Sequence, residues 1–269
     1  PWEWAQAALL AGNLAWTTLA LGGFRAETRI VTLVLTGALV VAHFLARALE
    51  RGGPPRVHPA GWLLVPFLVY AAANVHWVTP VRWLGWMDWL GWAQMVAVFW
   101  VTVNGVRAQG PRQGVFLTLI ALGIIGVVLA CYQRFVQPDW VILGRTWAGD
   151  FGGRASGSFG IPNSFAGFLL LILPAAGALA LRRTAKPTER VWWGWVTAVL
   201  LFGLLLTISR GAWMALGVAV IVWPLAVARG GWERRIRFAL AAAAGVALAG
   251  SIVVWKSPKV RARFTTLVL

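Results

Sequence analysis

Apolar residues run along this chain in stretches of roughly twenty, separated by short segments rich in arginine, proline and glycine. The runs fall near residues 4–22, 30–49, 60–78, 86–106, 114–133, 163–181, 191–208, 211–228 and 237–255. About 20 apolar residues cross the hydrocarbon core of a bilayer. Inside hydrocarbon every backbone N–H and C=O must find a partner within its own segment, so such runs predict helices. An alternating ten-residue pattern of the barrel type is missing. The expected fold is therefore all-α, a polytopic transmembrane bundle of about nine helices. Connections such as Arg51-Gly-Gly-Pro-Pro-Arg56 and Arg107-Ala-Gln-Gly-Pro-Arg112 are too short for domain linkers, and no internal repeat is evident. Residues 1–269 read as a single transmembrane domain.

Composition agrees with that pattern. The 269 residues are 59% hydrophobic and 12% charged, which makes lipid the expected main solvent. The first run opens at Trp4 without a basic flank or a small-residue cleavage site, so the first helix is expected to stay. A net charge of +16 would suit nucleic acid, but the cations are divided among short loops and form no continuous stripe. Segments after the even-numbered runs carry 13 Lys and Arg, from Arg47 through Arg112 and Arg190 to Arg237, and are assigned to the cytoplasm. The opposite side carries 11, including Arg134, Arg154, Arg210, Arg261 and Arg263. An outer face normally poor in cations is rich in them here, and an anionic ligand would explain the excess.

Trp77, Trp83, Trp86, Trp89 and Trp92 gather around the fourth run, and Trp192, Trp193 and Trp195 mark the start of the seventh. Indole favours the headgroup level, where its ring and its N–H are both satisfied. The three-residue spacing of the first group also admits a flat interfacial helix lining a path for a lipid tail or sugar. Cys131 lies within an apolar run and reads as packing, since a lone cysteine forms no intramolecular disulfide.

Two segments interrupt the apolar pattern in a way that chemistry could use. The longest polar stretch, from Gln133 to Asn163, holds Arg134, Asp139, Arg145, Asp150 and Arg154. Asn163 or a neighbour would cap the sixth helix, with Pro162 setting its first turn, leaving a positive helix end outside. Such an end holds phosphate, and a guanidinium nearby grips two phosphate oxygens at once. A plainer role for Arg154 is a solvated loop residue paired with Asp150. The second segment, Leu204-Leu-Leu-Thr-Ile-Ser-Arg-Gly-Ala-Trp213, places Ser209 and Arg210 in a very short connection. Arginine at membrane depth is costly and usually functional, though it also snorkels to the interface.

Other chemistries lack their residues. His43, His58 and His76 stand apart without metal-ligand spacing, and there is no Walker A loop, GxGxxG or GxSxG. The eight acidic residues include no glycosidase-like pair and no DxD. No cofactor is expected.

Arg154-Ala-Ser-Gly-Ser-Phe-Gly-Ile-Pro-Asn-Ser-Phe-Ala-Gly-Phe168, followed by Leu206-Thr-Ile-Ser-Arg-Gly-Ala-Trp213, resembles the paired motifs of the O-antigen ligase family, R…G(T/S)FGNPN…A and T-x-SRG. Ile161 stands where that family often has asparagine. The resemblance covers roughly residues 110–269. It implies a bacterial inner-membrane glycosyltransferase that takes a glycan from an undecaprenyl-pyrophosphate carrier on the periplasmic side, without metal. The acceptor hydroxyl would belong to lipid A core, another glycan or a protein. A catalytic histidine and a further arginine in a large loop after the ninth helix are also implied, so the chain is expected to be incomplete after Leu269.

On that reading Arg154 and Arg210 are the catalytic candidates, stabilising charge on the departing pyrophosphate. Asn163, Ser209, Arg261 and Arg263 are the substrate-binding candidates, the last two with headgroup contact as their ordinary alternative. A rival function is a transporter or flippase for an anionic or lipid-linked substrate, which would hold Arg210 in a midplane cavity.

Overall fold

Long stretches of Leu, Ala, Val and Trp with prolines confined mostly to their ends give helices, and the computed structural model contains eight α-helices and no strand among its described residues. It describes residues 2–23, 26–49, 57–138, 140, 142, 151–182, 184–227 and 245. The helices are α1 (Trp2–Leu19), α2 (Ala26–Leu49), α3 (Val65–Trp77), α4 (Arg82–Gly105), α5 (Gln109–Phe135), α6 (Pro162–Ala180), α7 (Pro187–Leu206) and α8 (Arg210–Val227). The expected ninth run, 237–255, lies outside the described residues apart from Gly245.

Five helical segments among the described residues are long and apolar enough to cross a membrane: Glu27–Leu49, Pro59–Trp77, Gln109–Phe135, Pro162–Ala180 and Pro187–Leu206. That is fewer than the nine expected. Helix α1 carries Glu3, Gln6 and Asn13, and α4 carries Asp88, Gln94 and Asn104 besides its tryptophans, so both are more polar than their aromatic content suggests. Outward apolar side chains such as Leu171, 79% exposed, and Val34, 65% exposed, require an apolar solvent. This is a membrane protein.

The chain forms two compact units, Pro1–Leu122 and Gly123–Leu269, and the division falls inside the long helix α5. A boundary within a helix leaves no Pro-rich or charged linker in the sequence. In the first unit Leu10 of α1, Leu39 of α2 and Val101 of α4 meet in a core flanked by Trp100 and Val115. Polar side chains fasten the same helices: Asn13 Nδ2 donates to Thr36 Oγ1 at 2.9 Å, Gln94 Nε2 donates to the same oxygen at 3.1 Å, and His43 Nδ1 lies 3.0 Å from Gln6 Oε1. Lipid is as apolar as leucine, so hydrogen bonds and close packing, rather than water exclusion, distinguish helix contacts there. Thr36→Val removes the acceptor of two such bonds and is expected to destabilise the unit by about 1–2 kcal/mol. Thermal unfolding in detergent that matches wild type would contradict that account.

In the second unit α6 supplies the centre. Phe165, Ala166, Leu169 and Ala176 are fully buried, as are Val196, Leu200 and Leu204 of α7 and Ala130 of α5. Close approach depends on glycine: a Cβ on Gly126 of α5 would stand 2.6 Å from Phe165 Cε2, and one on Gly203 of α7 would collide with Val127 Cγ2. Packing of α5, α6 and α7 thus fixes the helix ends from which the site is built.

Candidate functional site

Helix α6 begins at Pro162, whose fixed φ and missing N–H suit the first position of a helix. Ile161 occupies the cap position in extended geometry, φ −129° and ψ 116°, and makes no side-chain capping bond. Asn163 or a neighbour was expected to cap this helix, and it is the neighbour Ile161 that stands at the cap rather than Asn163. Asn163 Oδ1 instead accepts from Arg154 Nη2 at 2.6 Å, so the carboxamide is turned toward the guanidinium. Arg154 Nε donates to the Thr207 carbonyl at 2.9 Å, and the next residue's amide, Ala155 N, donates to Leu206 O at 3.1 Å. The polar loop is therefore tied directly to the carboxyl end of α7.

Three residues, Thr207, Ile208 and Ser209, join α7 to α8. Thr207 Oγ1 donates back to Leu204 O at 2.7 Å and accepts from Ser209 N at 3.3 Å. Ile208 takes φ 47°, a left-handed conformation that a β-branched residue adopts only under constraint. Ser209 is buried, and its carbonyl accepts from Trp213 N at 3.1 Å in the first turn of α8. Arg210 is the first residue of that helix.

These pieces enclose a cleft of about 410 Å³ lined by Arg154, Asn163, Gly167, Ile208, Ser209 and Arg210, with Leu170, Gly211 and Ala212 completing its wall. Four of the six residues singled out in the sequence thus meet in one place, although Arg154 and Arg210 are far apart along the chain. Arg261 and Arg263, as well as Asp150, lie outside the described residues. Electrostatically the cleft combines two guanidinium-bearing segments with the amino-terminal turns of α6 and α8. Helix amino ends carry partial positive charge, and arginine stays protonated at any ordinary pH, so all four elements favour an anion. Its size admits a phosphate-sized group together with part of what is attached to it.

Gln133 and Thr207 were not singled out by the sequence. Gln133, in the last turn of α5 and 2% exposed, contacts the segment that follows Arg154. Its Oε1 accepts from Ser156 N at 2.9 Å and Gly157 N at 3.0 Å, while its Nε2 donates to Gly157 O at 2.9 Å and Trp140 O at 3.1 Å. A buried glutamine closing an otherwise apolar helix is the only signal of it in the sequence.

The remaining candidates have other surroundings. Trp83, Trp86, Trp89 and Trp92 form the first turns of the continuous helix α4, with no break that would set them apart as a separate interfacial helix. Trp89 Nε1 donates to Leu68 O at 3.0 Å, and Trp89 and Trp92 border a cleft of about 500 Å³ between α3 and α4 with Phe67, Tyr70 and Asp88. Asp88 also lies 3.9 Å from Arg29, a pair more than half exposed and worth little to stability. His58 Nδ1 accepts from Ala60 N, and no group of three or more His, Cys, Asp or Glu suited to a metal occurs among the described residues. Cys131 is half-buried in α5. No protein-family model matches the chain, and no curated protein or solved structure matches it either.

Proposed function

We propose that this chain is a membrane glycosyltransferase of the O-antigen ligase type, working on the periplasmic side of a bacterial inner membrane within a bundle of about nine spans. It transfers a glycan from undecaprenyl pyrophosphate to an acceptor hydroxyl. The observation that carries this reading is the convergence of Arg154 and Arg210, with the starts of α6 and α8, on one cleft. The likeness of residues 154–168 and 206–213 to that family's two motifs supports it.

In such a transfer the acceptor oxygen forms a bond to the anomeric carbon as the bond from that carbon to the pyrophosphate oxygen breaks. The hydroxyl proton passes to a base, and negative charge grows on the departing pyrophosphate. Cations already aimed at that charge lower the barrier because they need not reorganise when it develops. Arginine suits the task because its fork meets two phosphate oxygens together and its charge is permanent. Asn163 contributes by holding one edge of the Arg154 guanidinium, and Ser209 by closing the cleft where α8 begins. Arg261 and Arg263 are assigned to the same anionic substrate.

The decisive experiment reconstitutes the full-length protein in vesicles with purified undecaprenyl-pyrophosphate glycan and offers lipid A core, free glycan and protein acceptors in parallel. Transfer to one of them is expected. Failure with all three, under conditions in which the glycan lipid is bound, would overturn the proposal. Movement of that lipid across the bilayer without transfer would establish the transporter instead.

A further inference from the structure

We infer that Gln133 is the positioning residue of the cleft, setting the direction of the Arg154 guanidinium by gripping the backbone just beyond it. The inference rests on the proposed anion-binding role of that cleft for its ligand readout, but the geometry is independent of it. Gln133 and Arg134 are neighbours in the last turn of α5 and hold the chain on opposite sides of Arg154. Arg134 Nη1 donates to the carbonyl of Gly153, one residue before it, at 2.9 Å. Gln133 binds both amides of Ser156 and Gly157 and returns a hydrogen bond to Gly157 O, two to three residues after it. The orientation of the carboxamide is unambiguous, because exchanging its oxygen and nitrogen would set N–H against N–H and oxygen against oxygen.

A carboxamide is needed for this pattern. Only an amide tip offers an acceptor and two donors together, and here the acceptor faces two N–H groups and the donors face two carbonyls. The grip is also close. Gly157 has φ 55°, and a Cβ there would lie 3.0 Å from Gly126 O and 3.1 Å from the Phe165 ring, so the segment is pressed against α5 and α6 with no room to shift. On its far side Ala155 N is bonded to Leu206 O, and Arg154 reaches Thr207 O. Loss of the Gln133 tip would release one edge of a short segment whose other edge carries the guanidinium. A displacement near 1 Å of a positioning group costs on the order of 100-fold in a reaction.

Gln133→Glu supplies a readout that general loosening would not produce. The titratable side chains nearest this position are Cys131, Tyr132 and Arg134 on α5 and Arg154 on the loop; none of them is a carboxylate, and the arginines keep their charge. The introduced carboxyl would then be the new titrating group: burial disfavours its charged form, while the amides of Ser156 and Gly157 and the neighbouring Arg134 favour it. When protonated it accepts from Ser156 N and Gly157 N while donating to one carbonyl. When ionised it has no donor and repels the oxygens of Gly157 and Trp140.

The test compares wild type, Gln133→Glu and Gln133→Leu as full-length detergent-solubilised protein, with folding checked by size exclusion. Phenylglyoxal labelling of Arg154 and of Arg210 is followed by peptide mass, and binding of inorganic pyrophosphate by calorimetry. Gln133→Leu is expected to weaken pyrophosphate binding about 10-fold or more and to change the Arg154 labelling rate several-fold relative to Arg210. Gln133→Glu should stand closer to wild type at the acid end of the accessible pH range than at the alkaline end, because only its protonated form can donate to a carbonyl. Wild-type behaviour of Gln133→Leu, or equal changes at Arg154 and Arg210, overturns the positioning role. Absence of pyrophosphate binding by wild type overturns the anion reading alone, since the ratio of labelling rates still decides the role of Gln133.

Discussion

Replacing Arg154 with alanine is expected to lower glycan transfer by at least about 100-fold while the protein still inserts and folds, the scale of effect seen when one preorganised charge-stabilising group is deleted. The reason lies in what the guanidinium does at once. It lines the cleft with positive charge, holds Asn163 Oδ1 at 2.6 Å and holds Thr207 O at 2.9 Å, so it joins the start of α6 to the end of α7 at the cleft wall. Lysine keeps the charge but cannot span two acceptors in fixed directions, and Arg154→Lys should recover only a minor part of the activity. Arg210→Ala should show a loss of similar order without disturbing either of those bonds. The measurement is the initial rate of transfer in the reconstituted vesicles, normalised to protein that elutes as a single species. Full rates in the Arg154→Ala and Arg210→Ala proteins would remove both arginines from the mechanism.

The second large effect concerns the scaffold. Gly203→Leu is expected to destabilise the second unit by at least about 1–3 kcal/mol, the range for inserting carbon into a filled core. Even a methyl at Gly203 collides with Val127 Cγ2, and its next neighbour, Leu169 Cδ1, lies 3.3 Å away. Valine is stiff at its first torsion, and Leu169 is fully buried, so neither can yield cheaply. Thermal unfolding in detergent, with Gly194→Leu as a control because nothing lies within 4 Å of a Cβ there, measures the difference. Equal melting temperatures for the two variants would show that α5 and α7 are not held at the spacing described.

Helix positions were largely legible because hydrocarbon demands internally satisfied backbone, which leaves an unbroken apolar run little choice. The run at 163–181 differs from α6 by a single residue at each end, and the run at 211–228 begins one residue after α8 does. Errors arose where a breaker acts as a starter. Gly110 and Pro111 read as loop, but proline is tolerated in a first turn, and Glu3 Oε2 accepts the N–H groups of Arg107 and Ala108 just ahead of α5. Conversely, the run at 60–78 is divided into a short 3₁₀ turn at Pro59–Trp62 and α3.

Four side chains that line the cleft were legible, its charged members most plainly. Arg154 and Arg210 stand out because a cation among apolar runs is conspicuous, whereas the groups that orient them are mostly backbone: Thr207 O, Leu206 O, Ser156 N and Gly157 N. Every residue has such atoms, and nothing in a sequence marks the ones that will be used. Gln133 was hidden for the same reason, since all but one of its partners are main-chain atoms. For Asn163 the sequence left open a cap and a substrate contact, and its carbonyl is instead turned to the Arg154 guanidinium, a charge-assisted bond at 2.6 Å.

The left-handed Ile208 bears on the thermodynamics of ligand capture. A glycine would adopt that conformation freely and would let the α7–α8 connection sample several geometries. Isoleucine narrows the available conformations, and its side chain is half-buried beside the cleft, so the cost of bending the chain is met once, during folding. On the proposed reading, an arriving anion would then find its receptor already ordered. Less of the gross attraction would be spent on immobilising loops, and selectivity would follow from fit to a rigid shape rather than from closure around whatever arrives.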